Sequence, residues 1–396
     1  MNNLFFIEVG FKQKNHFNER ICGDVFLSKK VKEDNRTIIV LSDGLGHGIK
    51  AHLLATLTAT MALNFTVEHK DVHKIAEIIM NTLPVCSERK ISYSTFTIVD
   101  IAENGQTTII NYENPDCIIL RGNEVFEPKW HMIEPENEQS VADIRKIKAC
   151  SFNVLKGDRI VLVTDGVTQS GLGSGEYLFG FGWDNTRNLV EKLVTDKPVI
   201  SASNLASKII NRVHSIDRLH SKDDTSCAVM YFREPRKLLI CSGPPYTKER
   251  DDYLYEKVRD FSGTKIISGG TTADIIAAKF NITIKDTIEF DDPELPPVSY
   301  IEGIDLVTEG ILTLSKVSLI LQNYSDRTEL GRGPADRIAK LLIDSDVINI
   351  CVGTAINVAH QDPNLPVELE IRRNVLKKIA SILEDKFLKE VVIEFI

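Results

Sequence analysis

The stretch TIIVLSDGLGHGIKAH, residues 37–52, sets the reading of the chain. Thr37–Leu41 is short, β-branched and apolar, the pattern of a strand buried on both faces. It breaks at Ser42-Asp43-Gly44. Gly46 and Gly48 then supply the positive-φ freedom of a tight loop. Ile49–Phe65 follows as a helix rich in Ala and Leu, apolar nearly all round, which predicts burial. Arg159–Val163 (RIVLV) repeats the theme: a buried strand with an Asp-Gly, Asp165-Gly166, at the same offset.

Outward from these two runs, strands and helices alternate. The N-terminal MNNLFFIEVGFKQKNHF lacks the basic start, long apolar stretch and small-residue cleavage site of a signal peptide, and reads as an opening strand. Val72, Ile75, Ile79 and Leu83 mark an amphipathic helix stopped by Pro84. Ser94–Ile101, Thr107–Tyr112 and Asp116–Leu120 are strands joined by turn residues, ENGQ and ENP. A helix around Ser203–Val213 leads to a last strand, Ser226–Phe232. Many strands, short turns and a few long helices predict an α+β domain on antiparallel sheets.

The charged, Pro-containing segment 233–237 reads as a boundary, giving domains 1–234 and 238–396. Beyond it the order becomes βαβα. Strands at Leu238–Cys241, Lys265–Ile267 and Val347–Val352 and helices over Glu249–Phe261 and Ile275–Phe280 predict a separate α/β domain with some parallel strands. The tail Lys389–Ile396 reads as a final edge strand open to self-association, as in a homodimer.

The chain has 396 residues, 43% hydrophobic and 26% charged, enough apolar material for a core in each domain. Its net charge of −9 is a poor match for phosphate-neutralising nucleic-acid binding. No apolar run is long enough to span a bilayer. The seven cysteines, at 22, 86, 117, 150, 227, 241 and 351, are odd in number and contain no CxxC pair. They read as reduced residues of a cytoplasmic protein.

Asp24, Asp43, Asp165 and the pair Asp223–Asp224 each sit at a strand mouth. Any one alone reads as a turn or cap residue. Together, carboxylates converging in one fold repel one another unless cations neutralise them. Two hard divalent ions held by oxygens would do so, activating water near neutral pH and orienting a phosphoryl group. Gly44, lacking a side chain, lets its carbonyl approach a metal. His47 reads as a proton donor to a leaving alkoxide, as a hydrogen-bond partner of an ion-bound water, or as a helix cap. No cysteine is placed as an activated nucleophile.

These pieces, in order, are CGD (22–24), LSDGLGHG (41–48) with Ala51, STFTIVDI (94–101), NYENPDCIILRGN (111–123), VLVTDGVTQS (161–170), a downstream Phe-Gly and KDDTSCAVMYF (222–232). Over residues 20–232 the chain resembles the type 2C metal-dependent Ser/Thr protein phosphatases in their bacterial SpoIIE-like branch. The resemblance implies an α-β-β-α sandwich with two central antiparallel sheets and two divalent ions, Mn2+ or Mg2+. It implies Asp24, Asp43 and the Gly44 carbonyl as bridging or binding the metals, with Asp165 and Asp223 completing the set. Asp224 stands where many relatives have Asn and ranks below Asp223. Relatives in this branch act on phosphoserine or phosphothreonine of regulators, often anti-sigma-factor antagonists. Two departures stand out. Leu45 occupies the place of the eukaryotic histidine, with His47 two residues further on. Arg20 is only a loose counterpart of the eukaryotic phosphate-binding arginine.

The function expected is therefore a protein-serine/threonine phosphatase, with catalytic candidates Asp24, Asp43 and His47. The alternative is a catalytically weak phosphatase-fold protein that sequesters a signalling partner. A haloacid-dehalogenase mechanism needs Asp-x-Asp at a strand end, which neither SDG nor TDG supplies. In the second domain, SGPP (242–245), SGGTTAD (268–274) and GRGPAD (331–336) precede helices and read as anion sites, or as caps through Thr271, Thr272 or Asp274.

Overall fold

The computed structural model describes residues 5–31, 33–68, 74, 78, 94–133, 147–286, 291–325, 328–355, 365–387 and 389–396. Contacts divide the chain into two units, Met1–Glu234 and Pro235–Ile396. In the first, the strands are β1 Phe6–Lys14, β2 Val25–Val31, β3 Arg36–Gly44, β4 Ser94–Ile101, β5 Gln106–Tyr112, β6 Ile118–Arg121, β7 Glu124–Val125, β8 His131–Ile133, β9 Ile147–Asn153, β10 Arg159–Val163 and β11 Thr225–Arg233. The helices are α1 Gly48–Val67, α2 Asp165–Gln169, α3 Gly182–Asp196 and α4 Ala202–Ile216. One antiparallel sheet has the order β1-β11-β10-β6-β7 and the other β2-β3-β4-β5-β9-β8.

Strand alternation builds the layers. Ile39, Leu41, Val99 and Ile109 from one sheet meet Ile160, Leu162, Ala228 and Met230 from the other in a shared core. The intervening residues point outward and are buried by helices. Ile38, Val40, Phe96 and Ile98 pack against Ala55, Ala59 and Ala62 of α1. Val161, Val163 and Val229 pack against Val190 of α3 and Leu205 and Ile209 of α4. Both faces of β3 and β10 are thus covered, which is why their sequences do not alternate. Each such Ile or Val removed from water contributes roughly 1.5–3 kcal/mol. The result is the α-β-β-α sandwich.

Two glycines let helices lie close on strands. A Cβ on Gly10 of β1 would enter the backbone of Ala202 and Ser203 at the start of α4, and one on Gly44 would enter the carbonyl of Ala51 in α1. Helix α1 differs from expectation. Its Ala face is buried, but Ile49, Leu53 and Leu57 are 67%, 63% and 47% exposed. Composition alone conceals which face a uniformly apolar helix turns inward. The helix read around Val72–Leu83 lies, apart from residues 74 and 78, outside the described residues.

The second unit contains β12 Lys237–Ser242, α5 Asp251–Asp260, β13 Thr264–Ser268, α6 Gly270–Phe280, β14 Lys285–Asp286, β15 Ser299–Tyr300, β16 Leu306–Thr308, α7 Ile311–Asn323, α8 Pro334–Asp344, β17 Val347–Val352, α9 Leu365–Asp385 and β18 Glu390–Phe395. Its sheet runs β14-β15-β16-β13-β12-β17-β18, with β16, β13, β12, β17 and β18 mutually parallel. Leu314, Ile338 and Ile379 of α7, α8 and α9 cover one face. Leu254 and Ile276 of α5 and α6 cover the other. The tail is an edge strand. The residue at the N-cap of α6 is Gly269, and Thr271, Thr272 and Asp274 lie inside the helix rather than at the cap position read for them. Cysteines 22, 117, 150, 227, 241 and 351 are buried and free, and Cys86 lies outside the described residues. No helix among the described residues is long and apolar enough to cross a membrane.

Candidate active site

Strand register brings the acidic residues together. In the β2–β3 ladder Val25 faces Ser42, so one step further Asp24 comes beside Asp43. In the β10–β11 ladder Val163 faces Cys227, which puts Asp165 and the Asp223–Asp224 pair at one end of the other sheet. Asp43 is influenced electrostatically by Asp24, Asp165 and Asp223. All four sequence candidates thus converge where the ends of two sheets meet.

Thr164 joins the sheets. Its hydroxyl donates to Asp24 Oδ2 at 2.9 Å and accepts from the Ser226 N–H at 2.9 Å. Thr164 is not among the sequence candidates, although its place directly before Asp165 is a signal. The Ser94 hydroxyl donates to the Asp43 carbonyl at 2.7 Å and fixes the end of β3. Gln169 Nε2 donates to Asp165 Oδ2 at 2.7 Å across the single turn of α2. The Asp224 N–H donates to Asp223 Oδ1 at 2.9 Å.

The charges are in conflict. Burial pushes the Asp24 carboxyl up to about 7, with Asp224 adding to the rise and the Thr164 hydroxyl opposing it. Burial, then Asp24, Asp165 and Asp223, holds Asp43 well above the usual carboxylate range. Burial, then Asp165, raises Asp223 to about 6. Asp24 Oδ1 and Asp224 Oδ2 are buried with no hydrogen-bond partner among the described residues. Crowded carboxylates and a buried oxygen without a partner, such as Asp24 Oδ1, are chemistry that suits a hard divalent cation.

Three neighbours complete the picture. Asp224, ranked below Asp223 on sequence, is only 2% exposed and accepts from the His16 N–H at 2.8 Å through Oδ1. Gly166 carries a constraint of its own, since a Cβ there would enter the Asp224 carbonyl. His47 occupies the residue before α1, but its side chain makes no capping bond. Its Nδ1 lies 2.8 Å from Glu19 Oε1, so the capping reading is replaced by a hydrogen-bond contact with Glu19. Arg20 is exposed.

The family model for Stage II sporulation protein E (SpoIIE) matches residues 33–233. The chain belongs to the SpoIIE family. It is a type 2C Ser/Thr phosphatase-fold protein, and Asp24 lies just upstream of the matched span. Similar solved structures include the phosphatase domain and a regulatory-domain fragment of the cell fate determinant SpoIIE from Bacillus subtilis, at 17% identity and TM-score 0.47 over 58% of this chain. That match spans 64% of the Bacillus chain. The RsbU and RsbW domains of a Mycobacterium tuberculosis protein are similar at 15% identity and TM-score 0.45, over 65% of this SpoIIE-family chain and 68% of theirs. RsbX in complex with magnesium is similar at 21% identity and TM-score 0.39, over 57% and 95%. No curated protein matches the sequence.

Proposed function

We propose that this SpoIIE-family chain is a metal-dependent protein-serine/threonine phosphatase. Asp24, Asp43, the Gly44 carbonyl, Asp165 and Asp223 would hold two divalent cations, Mn2+ or Mg2+. The observation that carries this reading is the gathering of buried Asp24 and half-buried Asp43, Asp165 and Asp223 at one end of the two sheets, close enough for their charges to raise one another, with Asp24 Oδ1 lacking a partner among the described residues. A structural role alone does not account for it, because each charge raises the cost of the others.

Cations bound there supply the positive charge that makes water nucleophilic near neutral pH and draws in a phosphoryl group. The chain's own contribution is positional. Thr164 orients Asp24, Ser94 fixes the backbone of Asp43, and Gln169 orients Asp165. His47, with Glu19 steadying Nδ1, is the candidate to give a proton to the leaving alkoxide through its other ring nitrogen. The substrate would be phosphoserine or phosphothreonine on a regulatory protein of the anti-sigma-factor-antagonist kind, in the cytoplasm.

The competing reading is a phosphatase-fold protein that sequesters its partner without turnover. The complete carboxylate set favours catalysis. The test is hydrolysis of an aryl phosphate with Mn2+, with Mg2+ and with chelator. Activity should require the metal, and Asp43→Asn should lower it by at least ~10²-fold, because one charge fewer weakens the hold on the cations. Full activity in chelator, or in Asp43→Asn at saturating metal, would overturn it.

A further inference from the structure

We propose that His16, Glu19 and His47 form a second metal site, beside the carboxylate centre, that takes a borderline transition ion such as Zn2+; with that ion bound, His47 is a ligand and no longer a proton donor. One ring nitrogen from each histidine and one Glu19 carboxylate oxygen lie within 4.8 Å of one another. Around a tetrahedral zinc with bonds of about 2.0–2.1 Å, ligand atoms sit roughly 3.3 Å apart. The widest separation here therefore needs to close by no more than about 1.5 Å, within the reach of side-chain rotation. The contact between His47 Nδ1 and Glu19 Oε1, at 2.8 Å, is already that close.

The donor set decides the class of ion. Two imidazoles and a carboxylate suit zinc and its neighbours, whereas the all-oxygen set of Asp24, Asp43, Asp165 and Asp223 suits Mg2+ or Mn2+. Three protein ligands leave a fourth position for water.

The ligands stand on anchored chain. The His16 N–H is held by Asp224 Oδ1 at 2.8 Å, the Phe17 N–H by the Ser221 carbonyl at 2.8 Å and the Glu19 N–H by the His16 carbonyl at 3.0 Å. His47 is the residue from which α1 starts. The two imidazoles are stacked, centroids 4.3 Å apart and planes at 12°, so one ring must turn about its Cβ–Cγ bond before both aim a nitrogen at one ion. His16 Nδ1 is shielded from water yet has no hydrogen-bond partner among the described residues. A buried polar atom left unpaired is uncommon and calls for a missing partner. An ion bound here would tie the segment leading to Asp24 to the first turn of α1.

The inference does not rest on the phosphatase reading, and its test uses no phosphate ester. The full-length chain, cleared of metal, is titrated with Co2+ and its visible absorption recorded, then Zn2+ is added as competitor. The expected result is the strong absorption of four-coordinate cobalt, abolished by Zn2+ and retained in Asp43→Asn and Asp165→Asn. His16→Ala and His47→Ala should each weaken binding by more than ~10-fold, and Glu19→Gln should alter the spectrum, with circular dichroism showing each variant folded. Three results would overturn the proposal: only the weak absorption of six-coordinate cobalt in the wild type, a strong band lost in Asp43→Asn, or folded His16→Ala and His47→Ala chains that bind cobalt unchanged.

Discussion

Asp24→Asn should make the metal-free protein more stable. Asp24 is 1% exposed, and its carboxyl is pushed from 3.8 to about 7. Each tenfold change in proton affinity is worth about 1.4 kcal/mol, so holding this group ionised above that range costs the folded state up to roughly 4 kcal/mol. Between these values the folded chain binds more protons than the unfolded one, so metal-free stability falls as pH rises from about 4 through about 7. Asn removes the charge, keeps an oxygen to accept from Thr164, and flattens that fall. Because Asp24 is also coupled to Asp43 and Asp224, a gain of about 2 kcal/mol near pH 8 is expected, or ~4–8 °C in melting temperature for a domain of this size. Added Mg2+ should raise the wild-type melting temperature and leave that of Asp24→Asn nearly unchanged. The assay is thermal unfolding followed by circular dichroism, with chelator and with Mg2+. A variant less stable than wild type in chelator, or equally stabilised by Mg2+, would refute the claim that this carboxylate is kept buried and ionised for a cation.

Further outcomes follow from neighbouring residues. Asp223→Asn should cost far more aryl phosphate turnover than Asp224→Asn, because Asn can still accept from the His16 N–H; equal losses measured as kcat would shift the ligand assignment by one residue. Thr164→Val leaves Asp24 without its donor, so denaturant unfolding should show a loss of about 1–3 kcal/mol. Gly44→Ala should destabilise by about 1–3 kcal/mol or more, because the collision is with the backbone of α1 and cannot be relieved by a rotamer change; unaltered denaturation would contradict that packing. A chain ending at Pro235 should fold and hydrolyse an aryl phosphate, because each unit has its own buried clusters; a folded but inactive fragment would show that residues 238–396 complete the site.

The site is legible in sequence wherever a local signal coincides with it. Buried runs such as Ile38–Leu41 and Ile160–Val163 betray themselves by lacking alternation, and the Asp-Gly after each marks the strand mouth. Convergence of Asp24 with Asp43 is inferable only through resemblance, since β2–β3 register is a tertiary fact. The contacts of His16 and Glu19 with His47 cross about thirty residues of chain and leave no periodic trace. In the second unit, β16 has three residues, too few for any period to emerge. Helices α7 and α9 are missing from the sequence reading, whereas α8 is signalled by the Gly-Pro start, Gly333-Pro334, within GRGPAD. The outward row Ile49, Leu53, Leu57 contradicts the predicted burial because hydrophobicity is not burial, and apolar side chains also make up much of an ordinary surface.

Thr164 has one further consequence. It stands at the end of a strand in one sheet and bonds to a residue that opens a strand in the other. Most of the seam between the two layers is a greasy interior that resists separation but hardly resists sliding, with the Arg121 guanidinium on β6 donating to the Asn153 carbonyl on β9 at 3.0 Å as a further polar link. A hydroxyl clasp at the rim acts as a dowel, fixing the phase of one sheet against the other to within the tolerance of a single hydrogen bond. Shear between the layers and misalignment of the carboxylates are then one and the same displacement. A solvent or mutation that loosens the sandwich should be felt at the rim before it is felt as unfolding.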